Sequence, residues 1–311
     1  MADIETPGDL LNLQGAGLPE PLFCLGQGSN LLFTHDFEGT LIRMLPSAWE
    51  VISHKDDEVV IRAEAGCIWD ELVEQTLKNG CFGLENLSLI PGTVGSSPVQ
   101  NIGAYGSEAA EFIVKVHVFD CATNQFFDIE NRDCDFGYRQ SIFKSKPNWI
   151  VVSVDYRLST KKSTFTQYRA VSDYIASHKL DGQNPIEVRQ AVIAIRESKL
   201  PDYKITGNAG SFFRNPVVDK VCFDSLKEKY PEVPFYSEPG DRYKIPAAWL
   251  IEKTGWKGFK GNHAGVHDKQ PLILVNLGGA TGLEIKMLAE EIQTSIKNNF
   301  GIQLHPEVIY L

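Results

Sequence analysis

Between residues 22 and 160 the apolar positions fall in short runs separated by turn residues, and each run suits a strand better than a helix. The runs Leu22–Leu25, Leu31–Phe33, Val59–Ala65, Phe112–Phe119, Phe126–Ile129 and Ile150–Leu158 predict strands. One segment in this part has helical spacing, Ile68–Lys78, and Asn79-Gly80 supplies its stop. Beyond residue 184 the period changes. Asn184 as N-cap, Pro185 at the first helical position and Glu187 at the third open a predicted helix that runs to Lys199. Thr281 and Glu284 form a capping-box pattern ahead of a helical run to Phe300, closed by Gly301, and Ile245–Thr254 predicts another helix stopped by Gly255. A β-rich first part and a mixed second part, changing between residues 160 and 200, predict two unlike α+β units.

The length of 311 residues is ample for two domains with their own cores. Hydrophobic residues at 43% and charged residues at 23% exclude a disordered or coiled-coil chain, and no apolar run reaches the ~20 residues of a membrane span. The start MADIETPGDLL has neither the basic nor the apolar region of a secretion signal, so a cytoplasmic protein with no membrane partner is expected. The 30 Lys and Arg against 40 Asp and Glu leave a net charge of −10, which disfavours nucleic acid while still allowing a small anion in a local cluster of donors. Six scattered cysteines without a CxxC pair are expected as reduced thiols, and no spacing predicts a metal site.

Candidate chemistry concentrates in Gly83–Gly106, GLENLSLIPGTVGSSPVQNIGAYG, which is so rich in Gly, Pro, Ser and Thr that an ordered loop is expected instead of a regular element. Such loops let backbone N–H groups converge on an oxygen anion. Gly26-Gln-Gly28-Ser29-Asn30, after the first strand, offers a second nest, and two nests suit the two phosphates of a dinucleotide; taken alone, the shorter segment reads equally well as a tight turn. The Rossmann fingerprint is absent, since Leu31 stands where its third glycine belongs, and neither a P-loop nor a GxSxG elbow occurs. His263 and His267 are four apart, but the glycines around them make a metal-binding helix a poor reading.

Three further segments invite a functional reading beside a structural one. In Phe136-Gly-Tyr138-Arg139 a guanidinium set among aromatics suits a carboxylate or developing oxyanion, though a structural cation–π role serves as well. Ser211 stands between glycine and two phenylalanines, as a proton donor or a satisfied turn serine. Glu307 brings a carboxylate into an apolar terminal strand, where burial raises a carboxyl pKa; the alternative is a rim glutamate.

Taken in order, LGQGSNLLF, GLENLSLIPGTVGSSPVQNIGAYG, FGYRQSIFK, KLPDYKITGNAGSFFRNP and LHPEV resemble the UDP-N-acetylenolpyruvoylglucosamine reductases, the MurB flavoenzymes of bacterial peptidoglycan synthesis. The resemblance implies an α+β fold: a two-part FAD-binding domain of the vanillyl-alcohol-oxidase type followed by a C-terminal α+β substrate domain. It implies a flavin domain over 1–160 split near 47, a substrate-loop and linker helix over 161–198, and a substrate domain over 199–311. FAD is implied as cofactor and NADPH as reductant, with Gly26, Gly28, Ser29, Asn30, Pro91, Gly92, Thr93, Gly95, Ser96, Ser97, Asn101, Gly103 and Ala104 holding the flavin.

The implied small-molecule substrate is UDP-N-acetylglucosamine enolpyruvate, reduced to UDP-N-acetylmuramate by a protein expected to be a monomer. By motif match, Arg139 and Glu307 stabilise the enolate and Ser211 donates the proton. Tyr105, Tyr138, Tyr168, Lys199, Asn215, Lys257 and Gln270 match substrate contacts, and Tyr168, within FTQYRAVSDY, is similar to the closing tyrosine loop of the type I branch. Two departures set expectations of their own. The family's Asn-Thr-Phe segment ahead of the flavin domain has no counterpart here, which bears on FAD affinity and stability. Ile309 stands where an arginine is expected, which predicts a raised KM with the chemistry retained. The alternatives are another FAD oxidoreductase of the same fold and a flavin-free sugar-nucleotide-binding protein.

Overall fold

The computed structural model describes residues 1–46, 48–162 and 168–311. Ser47, at the expected subdomain split, and Phe165–Gln167 of the tyrosine motif lie outside the described residues. The chain divides into two compact units, Met1–Gln27 with Glu38–Ser198, and Gly28–Phe37 with Lys199–Leu311.

The first unit is built on a five-stranded antiparallel sheet whose spatial order is Gln125–Glu130, Ile113–Asp120, Trp149–Ser159, Glu58–Glu64 and Trp49–Lys55. Its central strand is almost continuously buried because both faces are covered. Val151, Val154, Tyr156 and Leu158 join one core with Trp69, Leu72, Val73 and Leu77 of helix Trp69–Lys78. Ile150 and Val152 join another with Ile4, Leu10, Leu13 and Ile42. That second core lies under a small parallel sheet in which Thr40–Met44 is flanked by Ala2–Ile4 and Leu22–Cys24. Helices Arg169–His178 and Pro185–Lys199 close around their own cluster of Val171, Ile175, Val188, Ala191, Val192 and Ile195.

The large sheet also carries a charge network across four neighbouring strands. His117 meets Asp128 at 2.6 Å and the buried Asp155 at 3.1 Å, and Arg62 grips Asp155 through two bonds of 2.7 and 2.9 Å. Burial alone raises the Asp155 carboxyl, but Arg62 and His117 outweigh it and hold it at about 2. Burial likewise lowers the His117 imidazole, and the two carboxylates outweigh that and raise it. A raised histidine stabilises the fold fully below its unfolded pKa, and loses that contribution as pH rises through its folded value. Urea unfolding should therefore show His117→Asn destabilising the protein more at pH 6 than at pH 8. A pH-independent difference removes the charge contribution.

The second unit holds two three-stranded antiparallel sheets. In one, Ile273–Asn276 lies between Asn208–Ser211 and Ala264–Val266; in the other, Arg242–Lys244 lies between Val217–Asp219 and Tyr236–Glu238. Leu31–Leu32 pairs in parallel with Ile309–Tyr310, so the segment Gly28–Phe37 is part of this unit although its sequence neighbours are not. The core gathers Phe212, Phe213, Ile245, Leu250 and Ile251 with Leu288, Ala289, Ile292 and Ile296 of helix Gly282–Phe300. That helix is capped as its sequence predicts: Thr281 accepts from the Glu284 N–H, and the Glu284 side chain accepts from the Thr281 N–H at 2.7 Å.

Candidate active site

In the first unit the two glycine-rich segments meet. A Cβ on Gly26 would stand 3.3 Å from Thr93 Oγ1, and the Gly92 N–H donates to Gln27 Oε1 at 2.8 Å. Gly92 has φ +132, a conformation that only glycine adopts readily. Most N–H groups of the turn that follows are held by backbone carbonyls: Val94 by Cys67, Gly95 by Ala65, Ser96 by Thr93 and Ser97 by Val94. Gly92 and Thr93 differ. Their donors end on side-chain oxygens, Gln27 Oε1 and Ser96 Oγ, so neither is committed to a backbone carbonyl. The close glycine turns and these two donors fit a dinucleotide such as FAD.

The long loop is ordered as expected, with one difference: Ser96–Gln100 makes a short helical turn, because Ser97 and Pro98 are buried and anchor it to the sheet. The Ser97 hydroxyl is shared with Tyr156 at 2.6 Å. Asn101 braces the loop, donating to Glu108 and the Gly137 carbonyl and accepting from the Ala110 N–H. Glu85, 4% exposed, accepts from the Gly83 N–H at 2.8 Å, and burial raises its carboxyl pKa. Pro91 lies just ahead of Gly92, and Gly103 and Ala104 form a short strand against Ser107–Glu108.

Arg139 belongs to the first unit. Its guanidinium lies 5.4 Å from the Tyr138 ring centroid and donates to the carbonyls of Asn101 at 3.2 Å and Gly103 at 2.7 Å. Lys144 donates to the Arg139 carbonyl at 2.7 Å, securing a backbone with φ +52. Tyr105 packs edge-on against Tyr168, with ring centroids 5.4 Å apart, and Tyr168 immediately precedes helix Arg169–His178. Burial raises the Tyr105 phenol, against the pull of the Arg196 guanidinium.

In the second unit the segments that carry Ser211 and Glu307 run side by side through backbone pairing. The Glu307 N–H donates to the Phe212 carbonyl at 2.8 Å and the Arg214 N–H to the His305 carbonyl at 3.0 Å, which sets Glu307 opposite the residue after Ser211. Asn30 joins them: its side chain donates to the Glu307 carbonyl at 3.2 Å and its own carbonyl accepts from the Ile309 N–H at 3.1 Å. Ser29 is close by, its carbonyl 3.5 Å from where a Gly210 Cβ would stand. GQGSN thus contributes Gly26 and Gln27 to one unit and Gly28, Ser29 and Asn30 to the other.

The remaining sequence-predicted contacts are spread over the second unit. The Asn215 side chain accepts from the Ala247 N–H at 2.9 Å, capping helix Ala247–Lys253. Lys257 pairs with Glu252 at 2.9 Å, Lys199 is exposed at the end of its helix, and Gln270 is half-buried with its N–H on His267. Among the described residues no group of His, Cys, Asp and Glu could hold a metal ion, and no helix is long and apolar enough to cross a membrane. Gln27, Asp70 and Arg196 escape sequence reasoning. Gln27 lies inside a recognised motif, whereas the other two act through partners far away in the chain.

Residues 18–128 match an FAD-binding domain, and residues 201–311 match the C-terminal domain of UDP-N-acetylenolpyruvoylglucosamine reductase. The chain is 43% identical over 307 residues to the UDP-N-acetylenolpyruvoylglucosamine reductase of Bacteroides fragilis, covering 97% of this chain and 91% of that one. It belongs to the UDP-N-acetylenolpyruvoylglucosamine reductase family. The Pseudomonas aeruginosa reductase is 42% identical over 288 residues, covering 92% and 85% of the two chains. A solved structure of the family's reductase (MurB) from Thermus caldophilus aligns with a TM-score of 0.65 at 23% identity, covering 99% of this chain and 90% of that one, which shows the same fold. The expected fold class holds, and this reductase-family chain is an FAD-dependent oxidoreductase.

Proposed function

We propose that the protein reduces UDP-N-acetylglucosamine enolpyruvate to UDP-N-acetylmuramate with NADPH as reductant, a step of peptidoglycan precursor synthesis. The observation that supports this reading is the backbone bond from Glu307 to Phe212, the residue after Ser211, which sets the segments carrying Glu307 and Ser211 side by side. FAD, when bound, relays reducing equivalents from NADPH to the enolpyruvyl double bond. Gly26, Gly28, Ser29, Asn30, Pro91, Gly92, Thr93, Gly95, Ser96, Ser97, Asn101, Gly103 and Ala104 form the flavin-holding set.

Reduction of the terminal methylene carbon leaves negative charge on the adjacent carbon and its carboxylate. Arg139 neutralises that charge, and its rigid anchoring on two carbonyls and the Tyr138 ring means little reorganisation is needed when the charge appears. Glu307 stabilises the same charge as a hydrogen-bond donor, a role that needs its carboxylic acid form. Ser211 gives up a proton to the carbon; serine is a weak acid, but a carbanion-like enolate is a strong base. Tyr168, Lys199, Asn215 and Lys257 bind the diphosphate and sugar, with Tyr105, Tyr138 and Gln270 completing the substrate contacts. In this reading the flavin-holding set lies within residues 1–160, and Lys199, Asn215, Lys257 and Gln270 lie in the substrate domain, residues 199–311. The protein acts as a cytoplasmic monomer in cell-wall biogenesis, and through it in cell shape and division.

The test is the visible spectrum of the purified protein. Flavin bands that bleach with NADPH and recover on adding the enolpyruvyl sugar nucleotide are expected. A colourless protein that refuses added FAD points to the flavin-free binding protein, and a bleached flavin that this substrate fails to reoxidise points to another oxidoreductase.

A further inference from the structure

The turn leading into the proposed flavin contacts is held by a carboxylate that the reaction does not use. Leu89 has φ +58, where a side chain strains the backbone. Its N–H donates to Asp70 Oδ1 at 2.5 Å. Asp70 stands in the first turn of helix Trp69–Lys78 and is gripped through both oxygens by Arg189, at 2.6 and 2.9 Å. The Asp70 and Arg189 side chains are 27% and 13% exposed, so this bidentate pair is partly desolvated, unlike an ordinary surface ion pair. Burial raises the Asp70 carboxyl, but Arg189 and the Leu89 N–H outweigh it and hold it below the usual range, so it is a charged acceptor at neutral pH.

Leu89 lies three residues before Gly92, and a φ change at Leu89 swings the chain that follows it. We infer that Asp70, braced by Arg189, is a positioning residue for cofactor binding: it holds Leu89 in the strained conformation that aims the N–H groups of Gly92 and Thr93. The inference rests on the reading of that turn as a flavin contact. Arg189 rides on helix Pro185–Lys199, which two turns later presents Arg196 to Tyr105, so one helix braces the glycine-rich loop at two points.

The test titrates FAD into flavin-stripped full-length protein, following flavin fluorescence, with the melting temperature of each variant measured separately. Loss of a charged hydrogen bond predicts that Asp70→Ala weakens FAD binding ~10-fold or more and Arg189→Met about 3-fold. Glycine bears a positive φ without strain, so Leu89→Gly added to Asp70→Ala should restore part of the affinity, which a merely structural role does not predict. Should Asp70→Ala fail to fold, Asp70→Asn and Arg189→Met give the same reading. Variants that bind FAD as tightly as wild type, or no recovery with Leu89→Gly, overturn the inference. A wild-type protein that takes up no FAD overturns the flavin reading and this inference with it, and is told apart by that result.

Discussion

Replacing Ser211 by alanine is expected to leave reduction of the bound flavin by NADPH near wild type, while slowing reoxidation by the enolpyruvyl substrate ~10²–10⁴-fold. The two half-reactions differ in one requirement: only the second needs a proton delivered to carbon. Ser211 ends strand Asn208–Ser211, paired with Ile273, so removing its hydroxyl leaves the ladder intact. Stopped-flow absorbance of each half-reaction gives the answer directly. Equal slowing of both halves removes the proton-donor role and makes Ser211 a packing residue.

For Glu307→Gln the expected result is a kcat lowered by roughly 10²-fold with KM little changed, as for a group that acts mainly in the transition state. The amide keeps the size of the side chain, and the backbone bonds to Phe212 and Asn30 do not depend on it. What is lost is the carboxyl group itself. Steady-state kinetics in the enolpyruvyl substrate decide, and a change confined to KM makes Glu307 a binding residue.

Much of the local structure is legible in the chain because its causes are local. The helix ending at Lys78 stops where Asn79 and Gly80 predict, with Gly80 at φ +73, and the helix from Pro185 starts beside Asn184, whose side-chain oxygen accepts from the Ile186 N–H. Strands with a buried, near-continuous apolar run, such as Trp149–Ser159, are found within a residue of expectation. Trp49–Lys55 goes unread because it is an edge strand, exposed along almost its whole length, so no alternation marks it. Helices Arg169–His178 and Lys220–Lys229 bury only two apolar residues each, too few to write a clear stripe.

The sequence by itself determined the capped helices, the glycine-rich loops and, through its ordered motifs, the family. Each depends on residues adjacent in the chain, whose conformational preferences act without help from elsewhere. Only the tertiary structure decided that GQGSN divides between two units, that Gln27 caps the Gly92 N–H, that Arg139 is anchored on the carbonyls of Asn101 and Gly103, and that Asp70 and Arg189 hold Leu89. These contacts join residues far apart in the chain, and a polar side chain shows no preference for a distant partner until packing brings that partner within hydrogen-bond reach and takes water away.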